Sequence, residues 1–164
     1  MKTVLITGCA SGIGLATAKT FSQKGWKVCG VDQKLTQQFD ATWEADVRSA
    51  EKANSIVEEI FSRFGELTAL VTCAGKSNDS LIYNITPEQW QETIDVDLTG
   101  TFNFARSASQ KFRQQNHGKM VFISSTVALR ARKGLPAYIS AKSAVIGLAK
   151  ALARDLGQFN VNVN

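Results

Sequence analysis

Apolar positions along this chain fall into two alternating patterns. Short runs rich in aliphatic and β-branched residues, the kind that fill strands buried on both faces, occur at Val4-Leu5-Ile6, Lys27–Asp32, Thr42–Val47, Leu67–Cys73, Lys119–Ser125 and Asn160–Asn164. Between them apolar residues recur at helical spacing. Leu15–Phe21 follows the first strand, and Ser49–Phe64 carries Ala53, Ile56, Val57, Ile60 and Phe64 on one stripe that Gly65 ends. Thr86-Pro87-Glu88-Gln89 places a capping threonine, a proline at the first helical position and an acid in the first turn. That start predicts one helix running past Phe104 toward Gln115. A loop through Gly134 and Pro136 then leads into a last helix, Ala137–Leu156.

The order β-α-β-β-α-β-α-β-α-β predicts an α/β fold: a Rossmann-like, doubly wound parallel sheet with helices on both faces. The 164 residues suit a single domain, 1–164, and no repeat or linker interrupts them. Ligands in such sheets bind beyond the carboxyl ends of the strands. Thr7–Gly14, Asp32, Asp46, Gly75 and Ser125 all fall at those ends.

Composition narrows the classes of partner. A hydrophobic share of 44% beside a charged share of 20% is that of a globular chain, not a disordered one. The net charge of +5 raises nucleic acid as a partner, but the basic residues are spread out. Only Arg130-Ala131-Arg132-Lys133 clusters, and it reads as a solvated loop or one facing an anionic ligand, so no nucleic-acid partner is expected. Cys9, Cys29 and Cys73 are odd in number and sit in or beside strands, as small buried hydrophobes of a reducing compartment rather than metal ligands. His117 reads as a turn residue. With no membrane-length apolar stretch and no signal-like start, the expected location is cytoplasmic.

The candidate chemistry has two centres. Thr7-Gly8-Cys9-Ala10-Ser11-Gly12-Ile13-Gly14 turns a strand into a helix. Glycine there permits positive φ and close backbone approach, while the helix start points unpaired N–H groups at an anion such as a pyrophosphate. Asp32 closes the second strand about twenty residues on, where an acid accepts hydrogen bonds from the adenosine ribose hydroxyls. A carboxylate there repels the 2′-phosphate of NADP, so the expected cofactor is NAD, although Lys34 stands nearby.

The second centre is Ser125 with Tyr138 and Lys142. Four residues apart on a helix, Tyr138 and Lys142 share one face, roughly 6 Å apart at Cβ. A phenol ordinarily ionises near pH ~10, and a neighbouring ammonium favours the phenolate. Tyr138 can then exchange a proton with an alcohol or carbonyl oxygen that Ser125 holds, while a cofactor handles the hydride.

Together these motifs resemble the classical short-chain dehydrogenase/reductase family, over all 164 residues. The resemblance implies that Thr7, Gly8, Ser11, Gly12, Ile13 and Gly14 form the cofactor turn. It places Asp46 and Val47 against the adenine ring and Ala74-Gly75 beside the cofactor. By the same resemblance Ser125, Tyr138 and Lys142 are catalytic, and Tyr138 and Lys142 also contact the cofactor, Lys142 through the nicotinamide ribose. It implies a small-molecule alcohol or ketone substrate and a homo-oligomer, dimer or tetramer, packed through the helices at 88–115 and 137–156.

The chain departs from the family pattern in three ways. Thr72 and Cys73 replace two asparagines before Ala74-Gly75. Asp97 stands where the family has a catalytic asparagine, and its charge is placed to pair with Lys142. The family's substrate-closing segment would follow Val161–Asn164, so the chain is expected to be a C-terminally shortened member. The expected activity is an NAD-dependent interconversion of secondary alcohol and carbonyl. The alternative is a catalytically silent nucleotide-binding or interaction module.

Overall fold

A computed structural model describes residues 1–164. Six strands, β1 (Thr3–Thr7), β2 (Lys27–Asp32), β3 (Ala41–Glu44), β4 (Ala69–Thr72), β5 (Gly118–Phe122) and β6 (Val161–Val163), form one sheet in the order β3-β2-β1-β4-β5-β6. Every pairing is parallel. The strand order reverses between β1 and β4, the point at which such sheets open a crevice for a ligand.

The helices are α1 (Gly12–Gln23), α2 (Ala50–Phe64), α3 (Pro87–Ile94), α4 (Gly100–Gln115), α5 (Val127–Arg130) and α6 (Pro136–Leu156). The larger core lies between one sheet face and α2, α4 and α6, where Leu5, Leu70 and Met120 meet Ile56, Ile60, Phe104, Phe112 and Val145. A smaller core lies beneath α1, built from Val4, Ile6, Val28, Val71 and Ala18. The helix ends follow their capping chemistry. Ser49 Oγ accepts the Lys52 N–H at 3.1 Å, and Thr86 and Gln89 exchange side-chain-to-backbone bonds at 3.2 and 3.1 Å.

The fourth and fifth strands are shorter than expected, and the structure differs from the sequence expectation in three further places. The third strand stops at Glu44 rather than Val47, because Asp46 folds its own backbone into a turn. Its carboxylate accepts the Arg48 N–H at 2.9 Å and its carbonyl the Ser49 N–H at 3.1 Å. The single helix expected to run toward Gln115 is divided by a π turn at Asp95–Thr99, where the Gly100 N–H reaches back to the Asp95 carbonyl. Such one-residue insertions concentrate at functional sites. The segment expected as an uninterrupted loop after Ser125 contains α5 and ends on Ala131 at φ 57°, ψ 161°.

Gly100 ties the π turn to the crevice wall, since a Cβ there would stand 2.6 Å from Val47 Cγ2. Helix propensity favours alanine over glycine by about 1 kcal/mol, whereas overpacking a stiff branched side chain costs about 1–3 kcal/mol. Gly100→Ala is therefore expected to lower stability by about 1 kcal/mol in urea unfolding, with an unchanged m-value.

Candidate functional site

The glycine turn divides its work among its residues. Gly8 has φ 71°, and a Cβ on it would stand 2.7 Å from the Ala74 nitrogen; a Cβ on Gly14 would collide with the Gly8 carbonyl. These two glycines let β1, β4 and α1 pack. Gly12, at φ 50°, has nothing within 4 Å of where a Cβ would point, so it faces open space. Ser11 opens α1 in an extended conformation without capping it by its side chain. The first-turn N–H groups and the positive end of α1 therefore face the crevice.

Asp32 holds this turn in place. Its Oδ2 accepts the Ala10 N–H at 2.9 Å and its Oδ1 the Gln33 N–H at 2.8 Å. The Gly8 N–H reaches the Val31 carbonyl at 2.8 Å. Beside the turn is a cleft of about 400 Å³, lined by Gly8, Ser11, Gly12, Ile13, Gly14 and Asp32 on one side and by Val47, Arg48, Cys73, Ala74, Gly75 and Lys76 on the other. An open glycine face, a free helix start and a carboxylate at the end of β2 fit a dinucleotide.

Two residues expected to touch the cofactor are engaged within the chain. Thr7 is buried, and its Oγ1 accepts the Ala74 N–H at 3.3 Å, bracing β1 against the chain leaving β4. Asp46 is forked by Arg48, whose Nε lies 3.0 and 2.9 Å from its two oxygens, and this holds its carboxyl below the usual carboxylate range. Arg48, rather than Asp46, lines the cleft. Sequence reasoning missed Arg48, Lys76 and Glu92 there. Asp46 and Arg48 at i, i+2 carry a readable turn signal, but the 2.6 Å Lys76–Glu92 pair joins segments that only the fold brings together.

Beyond Gly75 the second centre is built around Lys142. Its ammonium is buried, 2.8 Å from Asp97 Oδ1 and donating to the Ile123 carbonyl at 3.1 Å. Asp97 is fully buried, and its Oδ2 accepts the Lys76 N–H at 2.8 Å. A Cβ on Gly75 would stand 2.8 Å from Asp97 Oδ1 and 3.2 Å from Lys142 Nζ, so only glycine leaves room for the pair. One helical turn before Lys142, half-buried Tyr138 presents its ring 5.6 Å from Nζ. Ser125 is half-buried just past β5, its Oγ accepting the Val127 N–H at a long 3.4 Å.

Residues 2–164 match the family model described as short chain dehydrogenase. Among curated relatives, the 3-oxoacyl-[acyl-carrier-protein] reductase FabG of Staphylococcus aureus is 30% identical, over 99% of this chain and 72% of that protein. The 2,3-dihydro-2,3-dihydroxybenzoate dehydrogenase of Bacillus subtilis is 31% identical, over 99% and 67%. Among solved structures, the ligand-free aldohexose dehydrogenase of Thermoplasma acidophilum superposes with a TM-score of 0.95 at 30% identity. That match covers 99% of this chain, which spans 64% of the aldohexose dehydrogenase chain.

Two predictions follow the geometry. Removing one partner of a buried ion pair costs about 3–5 kcal/mol, so Asp97→Ala is expected to lose that much in denaturant unfolding. Asp97→Asn, which keeps an acceptor for the Lys76 N–H, is expected to lose clearly less. Burial pushes the Cys73 thiol up to about 11, so at neutral pH it is protonated and a poor nucleophile. Its alkylation by iodoacetamide, followed by mass spectrometry, is expected to rise about tenfold per pH unit between pH ~8 and ~10 and to slow when the cleft is filled.

Proposed function

Because the chain belongs to the short-chain dehydrogenase family, we propose that it interconverts a secondary alcohol and a carbonyl on a small molecule, with NAD as the preferred cofactor. The observation that carries this reading is Lys142, fixed by Asp97 beside the Tyr138 ring and abutting Gly75, which lines the cleft. The turn from Gly8 to Gly14 and the start of α1 would hold the pyrophosphate. Asp32 would accept from the ribose hydroxyls, and its charge disfavours a 2′-phosphate. When bound, the nicotinamide supplies the hydride acceptor or donor.

The chain's own residues handle the proton. Tyr138 Oη takes it from the substrate hydroxyl in oxidation and returns it to the carbonyl oxygen in reduction. Ser125 Oγ, weakly engaged by the Val127 N–H, is free to hold that same oxygen. The Lys142 ammonium stands beside the Tyr138 ring, and Asp97 both fixes that ammonium and offsets part of its charge. The same offset favours a second reading, a module that binds the dinucleotide without turning substrate over.

Thermal melts with each dinucleotide, paired with turnover assays on secondary alcohols, test the proposal. NAD at 100 times its dissociation constant is expected to add about 2.7 kcal/mol, and NADP at equal concentration much less. Asp32→Asn, which keeps an acceptor for the Ala10 N–H and loses the charge, is expected to narrow that gap. Tyr138→Phe is expected to cut kcat by about 10²- to 10⁴-fold while leaving the NAD-induced shift intact. Asp97→Asn is expected to preserve or raise turnover. An NAD shift with no turnover by the unaltered chain would leave only the silent module.

A further inference from the structure

The segment joining Ser125 to Tyr138 carries the chain's one dense group of positive charge. Arg130, Arg132 and Lys133 are all exposed, and none of them pairs with a carboxylate of this chain. Arg130 stands five residues after Ser125 and Lys133 five before Tyr138. At roughly 3.6 Å per residue, neither can lie more than about 18 Å from the proposed reacting groups. The segment is also held there. The Ala128 N–H donates to the Ser125 carbonyl at 3.1 Å, and Ser143 Oγ, from α6, donates to the Ala128 carbonyl at 3.2 Å.

The facing loop is tied to it by the Ser80 N–H donating to the Gly134 carbonyl at 2.8 Å. That loop presents Ile82 and Tyr83, 68% and 77% exposed, and α5 adds Leu129 at 78%. Asp79 is the one acid in residues 76–85 and 126–135, and the Ser77 hydroxyl donates to it at 2.6 Å. Exposed apolar side chains and unpaired cations thus share two joined loops, one of which links Ser125 to Tyr138, with a single acid between them. A neutral alcohol has no use for three cations there, whereas an anion tethered to an apolar body suits both features.

Building on the oxidoreductase reading, we propose that the substrate is an amphipathic anion: a keto or hydroxy compound whose apolar stretch ends in a carboxylate or phosphate bound by Arg130, Arg132 and Lys133. The cations select and orient the substrate from its far end. The proton and hydride chemistry stays with Tyr138 and the cofactor.

Matched ligands separate this proposal from the reading beneath it. The full chain in oxidised dinucleotide, which leaves a ketone unreduced, is titrated calorimetrically with 7-oxooctanoate and its methyl ester. A second pair is the phosphate ester of 4-hydroxybutan-2-one and the parent alcohol. The expected result is at least tenfold tighter binding of the anionic member of one pair or both, which assigns carboxylate, phosphate or either. The preference is expected to shrink with added KCl and to vanish in R130E/R132E/K133E, which should bind the neutral members as before. Equal affinities within a pair, no binding by any of the four, or a preference that survives the triple reversal would overturn the proposal. Binding is read without turnover, so a charge preference in a chain that reduces neither ketone would sink the oxidoreductase reading and keep the anion site.

Discussion

The buried ion pair between Asp97 and Lys142 is the constraint on which the site's assembly depends. Taking two charges out of water costs several kcal/mol for each ion, and mutual attraction offsets that only where the remaining valences are met. Here the Ile123 carbonyl and the Lys76 N–H each meet one, at 3.1 and 2.8 Å. Those partners come from the chain leaving β5 and the chain leaving β4, while the charges sit on a π turn and on α6. Satisfying one pair therefore fixes four segments against each other. Gly75 admits the arrangement by contributing no side chain where the charges meet.

The same economy shapes the other end of the cleft. Thr7 and Gly8 serve packing between β1 and the chain after β4, and Gly14 seats α1 on the turn. The face left for a ligand is backbone: Gly12 and the opening of α1. Affinity for a phosphate-bearing group would then rest on N–H donors that no single side-chain substitution removes.

Most of the fold was legible because interior parallel strands are continuous apolar runs and the intervening helices keep a period of 3.6. The glycine turn, Asp32 and the Tyr138–Lys142 spacing were legible for the same reason, being local patterns. The π turn was not, since an N–H reaching five residues back leaves no mark in propensity or periodicity. Nor was α5, whose four residues are too few to show a period. The fork of Arg48 on Asp46 was not legible either, because composition does not rank which way a side chain turns. The Lys76–Glu92 pair spans 16 residues and needed the tertiary arrangement to exist at all.

Asp32 carries a consequence for how such a site can change over time. Its carboxylate clamps the Ala10 N–H, so one side chain is both part of the turn's scaffold and part of the cleft's lining. A side chain without an acceptor would take that bond from the loop, whereas asparagine would keep the bond and drop the charge in one step. The Ala10 N–H thus confines this position to side chains that offer it an acceptor.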